Sequence, residues 1–296
     1  MHQYLKSIGF GGIGSKKELY KILDDVENKF TYHELVCMEE GLDFCEYQKE
    51  YGAGIGISLF GDLDIHEHFK KEYYFPFFIG TGITSYAEVM VDRRMDRESY
   101  IGVCEDAKIG ISLIFHLQNT LEYLMEKELR KGRVSYSSVT LSGLSNSGVI
   151  LLPVKKDKIQ VKQQKDEARN RINLMNAARN GDPLAIESLT LENIDTYSKV
   201  SKRLITEDVF SIVDTYIMPY GVECDRYAIL GEIKALDTIV NEYTGEEIYI
   251  MRLDVNELSF DTCVPVKAVM GEAAVGRRFK ADIWLQGRIN LGTGEN

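Results

Sequence analysis

The chain has 296 residues, of which 44% are hydrophobic and 27% charged, and its formal net charge is −11. This length leaves room for two domains with a sizeable core, and the composition excludes a disordered or fibrous chain. The acidic balance disfavours non-specific binding to nucleic acid or to an anionic membrane surface.

Signals for export or membrane insertion are missing from the sequence. No apolar run approaches the roughly 18 residues that a membrane span requires, and Met1–Lys6 lacks the charged-then-apolar layout of a signal peptide. The cysteines are odd in number and never form a C-x-x-C pair: Cys37, Cys45, Cys104, Cys224 and Cys263. This pattern disfavours a disulfide framework or a zinc knuckle. We therefore expect a cytoplasmic protein without a membrane partner.

The first half of the chain predicts an α+β domain. Ser15 and Glu18 have the spacing of a capping box, and helical apolar spacing follows them. Strand-like segments come next, and a second helical pattern runs from Leu117 to Leu129 before two more strands. Residues 1–155 are therefore predicted to form one domain with a largely antiparallel sheet and two main helices.

The densest apolar segment in the chain is Tyr73-Tyr74-Phe75-Pro76-Phe77-Phe78. Aromatic residues bounded by proline and glycine indicate a strand. Such a segment either fills a core or forms an exposed binding surface. In the second case Tyr73, Tyr74 and Phe77 would be the anchors of a partner interface.

The second half of the chain divides into two parts. Residues 156–207 are predicted to form a helical connector, because the segment from Lys155 to Asn180 has no aromatic residue and a thin helical stripe. Residues 208–296 return to strand patterns, with a hairpin turn at Tyr243–Glu246. These patterns predict a small C-terminal β-barrel that is either OB-like or SH3-like.

Several segments resemble an uncharacterised bacterial family of unknown function. They are Tyr73–Pro76, Glu98–Cys104, Ser112–Asn119, Asp208–Asp214, Gly276–Phe279 and Ile283–Arg288. The family is one of cytoplasmic proteins from anaerobic Gram-positive bacteria, and the resemblance spans nearly the whole chain. It implies no activity and no functional residue.

Two local clusters are candidates for ligand binding. His66 and His68 stand at alternate positions, so a strand would place both imidazoles on one face, where they could bind a metal ion with a third ligand. The alternative is an exposed loop. Arg93 and Arg94 could hold a phosphate or carboxylate, or pair with the neighbouring acidic residues on a solvated surface.

A third candidate lies in the predicted barrel. Arg278, Trp284 and Arg288 could supply a basic and aromatic face for single-stranded nucleic acid. The many acidic residues of the same segment oppose this interpretation, so nucleic acid is not the expected partner.

No recognisable catalytic motif is present, and no cofactor is expected. The leading hypothesis is a non-catalytic protein-interaction or regulatory module with a protein partner. The alternative is a small-ligand binder or enzyme with its site between the two domains. A weaker alternative is single-stranded nucleic-acid binding through the barrel, and the sequence leaves homo-oligomer formation open.

Overall fold

The structure is a computed structural model that describes residues 1–37, 43–64, 66, 68–93, 99–106, 111–129, 136–154, 170–171, 173–178, 180–192 and 208–291. The described chain is α+β, with a closed five-stranded β-barrel beside an antiparallel sheet. The predicted fold class is therefore confirmed.

The N-terminal segment begins with a 3₁₀ helix at Gln3–Ile8 and continues into helix α1 at Lys16–Asn28. The Ser15 side chain accepts a hydrogen bond from the Glu18 amide, and the Glu18 carboxylate accepts one from the Ser15 amide. This reciprocal arrangement is the predicted capping box, and it satisfies two main-chain donors that a helix start leaves open.

Four strands form the first sheet in the order of the chain, and all pairings are antiparallel. They are β1 (Tyr32–Cys37), β2 (Asp43–Gly52), β3 (Ile55–Leu63) and β4 (Phe69–Phe78). The buried side of α1 packs in one core with this sheet, the N-terminal 3₁₀ helix and parts of the barrel. The predicted aromatic strand is β4, an edge strand, where Pro76 is tolerated because one side needs no ladder hydrogen bond.

The next elements lead into a ten-stranded sheet. They are β5 (Val89–Arg93), β6 (Tyr100–Glu105), β7 (Ser112–Leu117), helix α2 (Thr120–Leu129) and the long strand β8 (Tyr136–Leu151). After β8, residues 173–178 and 183–192 are helical, and Val209–Ile212 forms a single helical turn. Most of the predicted connector, including 156–169 and 193–207, lies outside the described residues.

The remaining strands are β9 (Tyr216–Pro219), β10 (Arg226–Val240), β11 (Glu247–Val255), β12 (Leu258–Pro265), β13 (Val269–Met270) and β14 (Arg278–Leu291), with a 3₁₀ turn at Val266–Ala268. β10, β11 and β12 form an antiparallel meander, and β14 pairs with β10. β8 closes the barrel, antiparallel to β14 and parallel to β12. A meander closed in this way has the OB arrangement, except that the closing strand precedes the meander in the chain.

The barrel therefore uses a strand from the segment that was predicted to belong to the N-terminal domain. β8 ends at Leu151, before the predicted boundary at residue 155, and its main partner β14 begins at Arg278. The ten-stranded sheet thus contains strands from both sides of the connector.

An aromatic ring of β7, that of Phe115, packs between one glycine of β6 and one glycine of β14. Phe115 is fully buried, and a Cβ atom on Gly102 of β6 would lie 2.2 Å from its ring. A Cβ on Gly287 of β14 would lie 2.5 Å from the same ring. Only glycine on both neighbouring strands leaves room for this side chain.

Replacing Gly102 with alanine is expected to lower the free energy of unfolding by about 2 kcal/mol, because the added methyl overlaps the Phe115 ring. Urea unfolding measures the loss. Gly12→Ala is the matched control, since a Cβ added at Gly12 would meet nothing within 4 Å. Equal stability of the two variants would show that Phe115 is not packed against Gly102.

Candidate functional site

A cleft of about 840 Å³ lies between the turn end of the four-stranded sheet and the barrel. One wall is the β2–β3 turn, with Glu50, Ala53 and Gly54, and another is the segment that follows β4, with Ile79 and Thr81. Ligand sites commonly lie in cavities of this size where two structural units meet.

The floor of the cleft is the outer face of the barrel meander. Ala235, Arg252 and Asp261 lie opposite one another across β10, β11 and β12, and Asp237 lies opposite Ile250. Opposite residues in an antiparallel ladder share a face, so these side chains form one continuous surface. Phe78, Ile239 and Ile250 supply its apolar part.

Arg252 is held in the floor by a network of hydrogen bonds. Its Nε and Nη2 donate to the two oxygens of the Asp261 carboxylate at 2.8 and 3.0 Å. Nη2 also donates to the Thr81 carbonyl at 2.8 Å, and the Thr81 amide donates to Asp261 Oδ2 at 2.7 Å. A bidentate pair with a further main-chain partner fixes the guanidinium in one orientation.

The protonation states of this pair are settled by the same contacts. Burial opposes ionisation of Asp261, but hydrogen bonds from Arg252 and Thr81 outweigh it and hold the pKa below its usual value. The hydrogen bond to Asp261 raises the pKa of Arg252. Both groups therefore stay charged near neutral pH, and neither is placed to exchange a proton there.

The lining of the cleft carries more negative than positive charge. Glu50, Asp237 and Asp261 are the carboxylates and Arg252 is the cation, which leaves a surplus of two negative charges. Glu50 and Asp237 are exposed. The cleft consequently favours a partner with basic groups beside an apolar surface.

The aromatic strand β4 is a packing element. Phe77 is 3% exposed, and Tyr73 is half-buried with its ring stacked on Phe60 at 4.7 Å between centroids. Tyr74 is also half-buried, and its hydroxyl accepts a hydrogen bond from the His2 amide. Tyr73, Tyr74 and Phe77 were expected to anchor a partner only if they were exposed. Phe77 is buried, so it cannot contact a partner.

Polar side chains of the barrel region bind the main chain of the same strand. Gln286 Nε2 donates to the Pro76 carbonyl at 2.9 Å. The Phe78 carbonyl accepts from Gln118 Nε2 at 2.8 Å and from Ser142 Oγ at 2.6 Å. These buried bonds attach the four-stranded sheet to the barrel, and they position Phe78 at the edge of the cleft.

Two of the residues predicted for a nucleic-acid face are buried. Arg278 is 4% exposed and donates to the carbonyls of Leu152, Val213 and Phe210. Trp284 is 6% exposed, and its Nε1 donates to Asp225 at 2.9 Å. The candidate basic and aromatic face is therefore wrong. The chain after β8 and the helical turn before β9 cover Arg278, and the N-terminal 3₁₀ helix and β4 cover Trp284.

The third residue of that prediction, Arg288, lies in an acidic cluster. Its Nη2 is 2.8 Å from Glu122 Oε2 of α2. Glu46 of β2 is 1% exposed and lies opposite Glu34 of β1. Burial raises the pKa of Glu46 to about 7, although Gln48 donates to its Oε1 at 2.6 Å.

The two histidines that were candidates for a metal site lie in the exposed β3–β4 connection, which is the exposed-loop alternative. The main-chain amides of His66 and His68 both donate to Asp64 Oδ1 at 2.8 Å, and His68 Nδ1 is 3.2 Å from Asp64 Oδ2. Within the described ranges, no three His, Cys, Asp or Glu side chains lie close enough to share a metal ion. His66 and His68 are thus used to shape a turn around Asp64.

The predicted arginine pair is only partly described. Arg93 is exposed at the end of β5, and Arg94 lies outside the described residues. Neither Arg93 nor either histidine lines the 840 Å³ cleft.

Sequence patterns did not single out the residues that form the cleft. Asp237 and Asp261 entered only as members of an acidic surplus, and Arg252 and Thr81 had no local partner that would mark them. The only sequence signal of Asp237, Arg252 and Asp261 is a charged residue at an outward position of a strand, which is common on solvated sheets. Thr81 has no such signal.

The fold is that of an α+β protein with an OB-like barrel and a cleft between the four-stranded sheet and the barrel. Residues 5–287 match a family described as a domain of unknown function, E. rectale gene description (DUF3881). The chain belongs to this family, which confirms the resemblance to an uncharacterised family. No curated protein and no solved structure matches the chain. None of the helices in the described ranges is long and apolar enough to span a bilayer.

Proposed function

We propose that the protein is a non-catalytic interaction module and that the cleft between the four-stranded sheet and the barrel holds its partner. The supporting observation is the cleft of about 840 Å³, which is lined by both structural units and has a rigid polar anchor in its floor. A site formed by two units can respond to its partner by a change in how they are joined, which is the basis of a regulatory role.

Binding is favoured over catalysis by the state of the ionisable groups in the floor. A general acid or base functions best with a pKa near the working pH. Arg252 and Asp261 have their pKa values shifted in the opposite directions, so both remain charged. A fixed ion pair of this kind orients a bound group.

The cytoplasm is the proposed location, and a protein is the proposed partner. All five cysteines are free, as in proteins of reducing compartments. The surplus of acidic groups in the cleft opposes nucleic acid as the partner. A small ligand in the same cleft is the second candidate, because the volume also suits one.

Filling the cleft is expected to abolish partner binding. Ala235 is exposed on β10 and lines the cleft, so Ala235→Trp places a large ring inside it without a change in the barrel core. Tagged wild-type protein and this variant are compared by capture from native lysate with nuclease, and by native mass spectrometry for small ligands. We expect a stoichiometric species on the wild-type protein and its loss from Ala235→Trp.

Met270→Trp is the matched control, because Met270 is 69% exposed and does not line the cleft. It should retain the bound species, and both variants should unfold at the wild-type urea concentration. Equal retention by Ala235→Trp would contradict the proposed site. A species that nuclease removes would contradict the proposed class of partner.

A further inference from the structure

One strand that borders the cleft has an unused edge. β10 pairs with β14 from Arg226 to Glu232 and with β11 from Glu232 to Val240. A bulge follows Ile233, and residues 235–240 have no strand on the side opposite β11 among the described residues. This free stretch spans about 20 Å at the usual strand rise.

The cleft runs along this free edge. Ala235, Asp237 and Ile239 share the face of β10 that forms the floor, while the intervening Thr238 points to the other face. Thr238 nevertheless lines the cleft together with both of its neighbours. A cavity that touches three consecutive strand residues reaches the edge of the strand, where the main chain is accessible.

The far end of the edge is closed by the first sheet. The Glu242 amide donates to the Tyr51 carbonyl at 2.7 Å, which joins the end of β10 to the β2–β3 turn. The edge is therefore open for a limited length beside a walled cleft, and unpaired strand edges are templates for an added strand.

The chemistry of the walls indicates what such a strand carries. Glu50 in one wall and Asp237 in the floor are exposed carboxylates, and Ile79 and Ile239 supply apolar surface beside them. Alternate side chains of an added strand would face the floor and would meet these acidic and apolar groups.

We propose that the partner is an extended basic polypeptide segment that pairs with the free edge of β10 at residues 235–240. This inference rests on the proposed function and specifies the partner of the same cleft. Main-chain hydrogen bonds supply the pairing, and basic and apolar side chains at alternate positions supply the selectivity.

The test is a displayed library of random short peptides, selected on the full-length protein and counter-selected on Ala235→Trp. Enriched peptides are expected to alternate apolar residues with Lys or Arg. Asp237→Lys should weaken their binding about tenfold or more, while Asp282→Lys, at an exposed aspartate outside the cleft, should leave it unchanged. N-methylation of alternate peptide amides should abolish binding, because it removes the donors that a strand ladder needs.

The outcomes separate this inference from the proposed function. Acidic peptides, peptides that tolerate N-methylation in both registers, or a library without cleft-dependent binders would overturn the added strand. A small molecule or folded protein whose binding is lost in Ala235→Trp would retain the cleft as the site and would also overturn the added strand. Failure of every ligand to depend on Ala235 would overturn both.

Discussion

Replacing Glu46 with glutamine is expected to raise the free energy of unfolding at pH 8 by about 3 kcal/mol, because the wild-type protein must bury a charged carboxylate at that pH. The wild-type carboxyl is 1% exposed, and its pKa rises from 4.5 to about 7 because burial penalises the charged form. Between these pH values the folded chain binds more protons than the unfolded chain, so wild-type stability falls as the pH rises. Glutamine keeps the acceptor for Gln48 and has no charge to bury.

The measurement is urea unfolding of both proteins at pH 5 and pH 8. The increase in the free energy of unfolding caused by Glu46→Gln should be small at pH 5. It should reach about 3 kcal/mol at pH 8, which lies above the folded-state pKa. Glu50→Gln, at an exposed position of the same strand, should change stability by less than about 0.5 kcal/mol at either pH. A gain of the same size at both pH values would show that ionisation of Glu46 is not its cause.

Replacing Arg278 with methionine is expected to lower the free energy of unfolding by about 3 kcal/mol, since hydrogen bonds from a buried charged donor are lost together. Arg278 Nε donates to the Leu152 carbonyl at 2.9 Å. Its Nη1 and Nη2 donate to the Val213 and Phe210 carbonyls, each at 2.8 Å. One guanidinium thus joins the chain after β8 to the segment that precedes β9, and methionine has no donor.

Thermal or urea unfolding gives the size of the loss. Arg277→Met is the neighbouring control, because Arg277 is partly exposed and its carboxylate partner is Glu272 at 2.9 Å. Arg277→Met should lower the free energy of unfolding by less than about 1 kcal/mol. If Arg278→Met folded with wild-type stability and lost affinity for single-stranded nucleic acid, a ligand role for Arg278 would be restored.

Sequence patterns succeeded where the cause of a structure is local. The capping box at Ser15 and Glu18 needs only a spacing of three residues, and the helix starts at Lys16 as expected. The aromatic segment was assigned to a strand for its composition, and β4 covers Phe69–Phe78. The choice between core and surface for that strand depended on long-range contacts, such as Gln286 to Pro76 across 210 positions.

The barrel shows a second limit. Arg278 and Trp284 occupy outward positions of β14, and side chains at outward positions of a soluble barrel are ordinarily exposed to solvent. Here the outer face of β14 is itself a packing surface, with the Trp284 ring stacked on Tyr4 at 5.6 Å. The ring that covers Trp284 lies near the start of the chain, and one carbonyl that binds Arg278 belongs to Leu152, so residues 208–296 taken alone do not reveal the whole covering.

The change in composition near residue 155 predicts a domain boundary there. In the structure, strands from both sides of this boundary pair in one sheet. The two strands predicted after α2, with a loop at Ser142–Gly148 between them, are one continuous strand, β8, whose partners β12 and β14 lie more than a hundred residues away. β8 and β12 pair in parallel, and parallel strands are not joined by a short turn that could be recognised in the sequence. The cleft could not be predicted from the sequence for the same reason. Thr81 and Asp261 come into contact only when the barrel has closed through β8.

We propose that the partner occupies the cleft between the four-stranded sheet and the barrel. Hydrogen exchange measured by mass spectrometry, on the full-length protein with and without its captured partner, tests it most directly. We expect slower exchange at residues 50–54, 78–81 and 235–240 when the partner is bound. Protection confined to another surface, such as the exposed end of β5 at Arg93, would contradict it.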